Sequence, residues 1–489
     1  MFIEKIFKTL SKTDKKEFLL FLDRKKRKDN RKDITVSKAL MSDMSPKVDN
    51  ANNYHAIRNR IKKELIVFLF LKQIENDNTG ESELLNEINL CRFLFDNQLE
   101  KEAWSYLLKV EKKALKIQNH KGLYATYMLM LEYTYSNEYI DITEVIDKKN
   151  KIKSYLDNEE KLIDTLAIVR NKLHQFKVEA KTQSLTNLIE DFKSKIDLNH
   201  PSFYQYPKQV CNYLELVRGS LLYNRDVRQL EPIAMDLYNK IIAQGSFTKH
   251  NVSYKIKILY ILCHALYRNY KFKECLTYLN EIETTLNNVK QVHLSHYYAK
   301  TASLKSSIYF LSNKIGQAIE TLEVFFNSKN NINTKDDLNL KLSLLTYYAY
   351  NKEYRKANRF FIQMHHSNGW YKKLMGQEWV FKKNSIEMLL QFEMGKDDIA
   401  LNRINTIIKN NKDLTALPQY KDVIYFLKLF KKYIEDPMSI SANDLLQVSN
   451  DDTIESADNE IKKTAFYSWF MAKVQDKDPY VVLMSFLKE

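Results

Sequence analysis

The densest chemistry-bearing run in this 489-residue chain is Arg24, Lys25, Lys26, Arg27, Lys28, Arg31 and Lys32. Several cations on one short segment can neutralise successive phosphates of a nucleic acid and release its condensed counterions. Arg58, Arg60, Lys62 and Lys63 extend the patch if the first 76 residues fold compactly. The plainer reading, a solvated helix end whose cations complement the negative dipole terminus, is favoured, because a charge run is usually a wet face. A second constellation is GWYKKLMGQEWVFKK at 369–383, where Trp370, Tyr371, Trp379 and Phe381 alternate with two lysine pairs. Rings interleaved with cations can stack bases or anchor a partner peptide. Here too the plainer alternative is preferred: rings packed inward while lysine stems lie along the surface. His293 and His296 are three apart and share a helix face, but no neighbouring carboxylate or cysteine completes a metal site. There is no G-x-x-x-x-G-K-[ST], no G-x-G-x-x-G after a strand, no G-x-S-x-G and no H-E-x-x-H. The expectation is a non-enzymatic protein without cofactor or metal.

The elements that must carry these residues are helices. Eight glycines and seven prolines in 489 residues starve tight β-turns of their usual residues and point to helices joined by Asn, Asp, Ser and Lys turns. Hydrophobic content of 44% with 28% charged residues is that of a folded chain. Cys91, Cys211, Cys263 and Cys275 form no CxxC pair and sit in apolar helical patterns, as buried hydrophobes in a reducing compartment would. The first 18 residues lack a signal-type apolar core. The longest apolar run, Leu65 to Leu71, is far short of the roughly 20 residues that span a bilayer. A cytoplasmic protein with no membrane partner is therefore expected. That same run predicts a helix buried on every side, plugging the N-terminal head into the solenoid.

A unit near forty residues long recurs. Cys275/Leu279/Ile282, Ala318/Leu322/Phe325, Ala357/Phe361/Met364 and Ala400/Ile404/Ile407 repeat a small residue followed at four and seven places by large apolar ones, in steps of 43, 39 and 43. Ala234/Tyr238/Ile241 is a fainter copy 41 upstream, and Ala103/Leu107/Val110 echoes it. Such periods mean stacked helix pairs, because one pair cannot bury its own apolar face. Residues 1–76 read as a basic helical head: Ser11 with Asp14 makes a capping box opening a helix at about Lys12, and a longer helix starts near Asn52. The polar stretch 76–83 reads as a boundary, 84–435 as the repeat region, and 436–489 as an acidic linker with a helical cap. Residues 121–196 are amphipathic but fit the register poorly, and Pro201 and Pro207 should offset the stack. After Pro418 a helix to about Tyr433 closes the regular pairs, and Phe466, Trp469, Phe470 and Val474 mark a capping helix.

The spacing Leu259, Leu262, Cys263, Leu266 and then Phe272, Cys275, Leu279, Ile282 resembles the tetratricopeptide repeat, and the unit Tyr348/Tyr354/Ala357/Phe361 fits best. Cys263 or Leu345 stands where that family usually has glycine, and the period overlaps that of HEAT-type repeats. The resemblance implies an all-α, right-handed superhelical solenoid that holds a partner protein or peptide on its concave face. The expected function is thus an interaction scaffold or adaptor. The alternative is a nucleic-acid-associated regulator whose head contacts DNA or RNA, with Asn52 to Lys63 as the reading helix of a helix-turn-helix. Charge is uneven: residues 1–75 hold 19 Lys/Arg against 10 Asp/Glu, while 433–461 hold eight acids and no base, within a net +15. Self-association of head with tail is one consequence; the plainer one is that each cluster keeps its own end soluble.

Overall fold

The computed structural model describes the chain apart from residues 1, 25–29, 43, 45–50, 76, 78, 137–139, 177–202, 224–226, 290–293, 295, 329–331, 411–420, 442–443, 446–456 and 487–489. At some helix ends, Arg31 and residues 457–465 among them, it describes the backbone alone. The protein is all-α, 85% helical, with 22 α-helices and no strand among the described residues. No described helix is long and apolar enough to cross a membrane. The chain divides into two compact units, residues 1–157 and 158–489.

In the first unit, α1 (Phe2–Thr9), α2 (Lys12–Arg24), α3 (Asn30–Met41) and α4 (Ala51–Glu75) gather one apolar core around Phe7, Phe18, Ile61 and Leu65. The capping box is formed: Asp14 N–H donates to Ser11 Oγ at 3.0 Å, and Ser11 N–H to Asp14 Oδ2 at 3.3 Å. A second core holds α5 (Glu81–Asp96), α6 (Glu100–Lys116), α7 (His120–Glu132) and the first part of α8 (Ile142–Phe176), inside which the division between units falls. The polar stretch before α5 is a built cap, since Asp77 accepts from Thr79 N–H at 2.8 Å and Ser82 N–H at 2.6 Å. One expectation fails here. Leu65 and Phe68 are buried, but Ile66, Val67, Phe70 and Leu71 are exposed, Phe70 at 59%. The helix buries the face that packs in the head, chiefly on α2 and α3, while Ile66, Val67, Phe70 and Leu71 on the other side of the apolar run stay exposed.

The second unit continues with α9 (Pro207–Tyr223), α10 (Leu230–Ala243), α11 (Val252–Arg268), α12 (Phe272–Val289), α13 (His296–Leu311), α14 (Ile315–Asn327), α15 (Thr334–Tyr350) and α16 (Tyr354–Ile362). Then come α17 (Asn368–Met375), α18 (Gln377–Glu393), α19 (Asp397–Asn410), α20 (Lys421–Glu435), α21 (Ala457–Val474) and α22 (Pro479–Phe486). Pro207 opens α9 at its first turn, where its missing N–H costs nothing. Helices pack in antiparallel-type pairs α11/α12, α13/α14, α15/α16 and α18/α19, and each first helix also packs on the next: α9 on α11, α11 on α13, α13 on α15, α15 on α18.

Every regular hairpin turns by one device. Gln98, Tyr270, Asn313, Lys352 and Gly395 have left-handed backbones, with φ of 60°, 58°, 60°, 60° and 71°. The residue after each closes the preceding helix: the N–H groups of Leu99, Lys271, Lys314, Glu353 and Lys396 reach back five residues to a carbonyl at 2.9–3.0 Å. The same five residues offer their carbonyls to Ala103, Cys275, Ala318, Ala357 and Ala400 at 2.9–3.1 Å, starting the next helix. These are the small residues of the repeat. All five are fully buried where helices cross, and in the α11/α12 pair Cys275 Sγ–H also donates to the Cys263 carbonyl at 3.2 Å.

The last two helices do more than cover the end of the stack. Phe466 and Phe470 pack on Phe426 and Phe430 of α20, as a cap would. They also run back along the C-terminal ends of three first helices. Trp469 Nε1–H and Lys473 Nζ donate to Glu393 on α18, both at 2.7 Å; Ser468 and Tyr350 on α15 share a hydrogen bond at 2.9 Å; Tyr480 donates to the Phe310 carbonyl on α13.

The crossings can be tested in two ways. Ala357→Leu overpacks the α15/α16 crossing and should lower stability by ~1–3 kcal/mol in urea titrations, with the helical circular dichroism of the folded baseline kept. The thiols are the second probe. Burial pushes Cys91 up to about 11 and Cys211 up to about 12, and raises Cys263 well above its ordinary value. Since the thiolate is the reacting species, a thiol reagent at pH 8 should leave the four cysteines of the native protein unlabelled and label all of them once urea unfolds it.

Candidate functional site

The cations singled out in the sequence separate into several roles. Arg24 ends α2 and is exposed; Lys25, Lys26, Arg27 and Lys28 lie outside the described residues, as does the side chain of Arg31; Lys32 is exposed. Arg58 binds Glu4 at 2.8 Å and joins α4 to α1, while Arg60 binds Asp33 at 2.9 Å and joins α4 to α3. Asp33 is only 5% exposed, so Arg60 neutralises a buried carboxylate inside the head. Lys62 lies 5.2 Å from the Phe2 ring, and Lys63 is exposed. At the acidic end, Asp436 and Asp444 accept hydrogen bonds from their own turns, at Met438 N–H and Ser441 N–H.

The stretch 369–383 is mostly interior. Tyr371 is fully buried, and Trp379 is buried with its indole N–H on Asn339 Oδ1 at 3.1 Å. Trp370 alone of the three keeps a sizeable exposed surface, stacked on His366 at 4.0 Å. What gathers the rings is Lys383, 5% exposed, with its ammonium 5.0 Å from the Phe361 ring and 5.7 Å from the Tyr371 ring. It donates to Asn368 Oδ1 at 3.2 Å and Asn384 Oδ1 at 3.0 Å, and Glu387 stands 3.9 Å away. Burial holds this lysine below its ordinary pKa. Tyr371 and Trp379 are interior and Trp370 is not, so the three residues do not share one exposed surface. His296, at the start of α13, lies 4.3 Å from the Tyr297 ring, and His293 lies outside the described residues.

A different cluster forms on the first helices. Lys300 on α13 places its ammonium 4.9 Å from the Tyr297 ring and 5.4 Å from the Tyr260 ring of α11. The two rings meet edge-on at 5.5 Å, and Tyr260 Oη is hydrogen-bonded to His264 Nε2 at 2.8 Å. Burial pulls Lys300 below its ordinary pKa; Asp336 opposes this, Arg218 and Lys257 add to it, and Glu215 opposes it. Lys300 on α13 thus feels the positive charge of Arg218 on α9 and Lys257 on α11 at a half-buried surface. The repeat carries the signal for this cluster, which matches no short motif: Arg218, Lys257 and Lys300 are 39 and 43 apart, and Lys257 and Lys300 each precede the small residue of their hairpin by 18. A second feature of this unit is an open cleft of about 480 Å³ among α12, α13 and α14, where Lys305 is already paired with Glu283 at 2.9 Å.

The head separates structural from idle cations in a measurable way. Arg60→Ala strands the Asp33 carboxylate and should cost about 1–3 kcal/mol in urea or thermal unfolding, whereas Lys63→Ala should stay within about 0.5 kcal/mol of wild type.

No family model, no curated protein and no solved structure matches the chain.

Proposed function

We propose that the chain is a non-enzymatic interaction scaffold, a right-handed, tetratricopeptide-like stack whose first helices line a groove for a partner protein or peptide. The observation that supports this most is the division of labour within each hairpin. Second helices bury their small residues at the crossings, while first helices α9, α11, α13, α15 and α18 pack side by side from hairpin to hairpin and keep half-exposed tyrosines, lysines and acids along one register. Aromatic rings carrying polar tips offer a ligand large contact area at low entropic cost. A face repeated along a stack suits an extended ligand better than a small molecule. The helices of residues 457–486, fastened across α13, α15 and α18, hold the hairpins of this face in fixed relation.

A photo-reactive phenylalanine analogue tests the reading. Placed at Tyr260 or Lys341 on first helices, it should join covalently to a discrete partner in extract of the native cell. Placed at the exposed Ile362 or Ile399 on second helices, it should not. Adducts only from the second-helix positions would move the binding face and refute the groove.

A further inference from the structure

We propose that Arg218, Lys257 and Lys300, with Lys300 lying over the Tyr260 and Tyr297 rings and Lys257 over the Tyr254 ring, bind an acidic peptide segment of a partner protein. This deepens the scaffold reading and rests on it. Among the described residues, no carboxylate lies within ion-pair distance of these three cations, and none of the three donates a hydrogen bond to another side chain. Their neighbours on the same helices are differently placed: Lys255 holds Glu281 at 2.7 Å and Lys305 holds Glu283 at 2.9 Å, both acids on α12. The lysines that leave the groove are matched by acids, and the two in it lie over rings, Lys257 over Tyr254 at 5.5 Å and Lys300 over Tyr297 and Tyr260.

An unmatched, partly desolvated cation is poised for a carboxylate. Lys300 is half-buried over two aromatic faces, with Arg218 and Lys257 adding positive charge around it, so an incoming carboxylate meets a low-dielectric setting where the attraction exceeds its value in water. Two acids act on the same lysine. Glu215 is held by Arg170, and Asp336 is tied to Asn333 at the start of α15. A phosphodiester backbone, charged at every step, would meet those acids repulsively. A peptide can set its carboxylates on the cations and turn backbone N–H groups toward Asp336. The cations also follow the stack over three successive first helices, the direction in which an extended strand would run.

Fluorescence anisotropy on the full chain tests this with three labelled probes: a short peptide alternating glutamate with serine, its lysine counterpart and a short oligothymidylate. The acidic peptide should bind, weaken as salt rises, and lose roughly tenfold or more in the combined variant Arg218→Gln, Lys257→Gln, Lys300→Gln. The lysine peptide should not bind. Unchanged circular dichroism and melting of the variant establish that it folds. Should it not fold, the wild-type chain is tested instead: saturating acidic peptide should protect Lys257 and Lys300 from acetylation, read by mass spectrometry, and absence of protection overturns the proposal. No binding of the acidic peptide, equal binding by the folded variant, or tighter binding of the oligothymidylate also overturns it. Photo-adducts at Tyr260 and Lys341 that persist in that event leave the scaffold reading standing, and their absence removes both.

Discussion

A single backbone device sets the geometry of each regular hairpin: a left-handed residue followed by one whose N–H ends the first helix and whose carbonyl begins the second. Because Lys271, Lys314, Glu353 and Lys396 belong to both helices at once, the small residue four places on enters at a fixed height and angle. Close approach of the two helices depends on that residue having almost no side chain, and the large apolar groups at the fourth and seventh places then meet the partner helix. The left-handed backbone costs about 1 kcal/mol at non-glycine positions such as Tyr270 and Lys352, an outlay that crossings buried on both sides offset. The interval from left-handed residue to small residue is five in each of the five turns, whereas the second helices differ in length, from 18 residues in α12 to 9 in α16.

Charge is used in three ways that the sequence does not separate. Arg58 and Arg60 hold the head's helices together; Lys383 binds a ring cluster from inside the repeat region; Lys257 and Lys300 stand unmatched on the first-helix face. Cation count therefore says little about where a polyanion would bind. The deciding quantity is whether a carboxylate of the same chain has already claimed the cation.

Helices, capping box and crossings could be read from the sequence because each is a local pattern. Ser11 with Asp14, the starts near Lys12 and Asn52, and the burial of Cys275, Ala318, Ala357 and Ala400 all follow from spacing and side-chain size. The exposure of the α4 face carrying Ile66 and Phe70 is not legible in the sequence, because an apolar run states affinity for burial and only the tertiary arrangement decides whether a partner element arrives. The helix Phe2–Thr9 has no clear sequence signal, because eight residues give two turns and hardly a period. The cluster around Lys300 is a relation among α9, α11 and α13, and only equal steps of the repeat hinted at it. Polar residues far apart in sequence announce no site until stacking sets them side by side.

The long reach of the last two helices bears on how the protein comes into being on the ribosome. A plain repeat stack can fold as it emerges, each hairpin settling on the one before. Here Phe310, Tyr350 and Glu393 wait for Tyr480, Ser468 and Trp469, partners 170, 118 and 76 residues later. The edge of the stack accordingly stays open through most of synthesis and closes only when residues 457–486 have cleared the exit tunnel. A nascent chain stalled before that point would present a row of unfinished helix ends, the kind of surface that chaperones occupy.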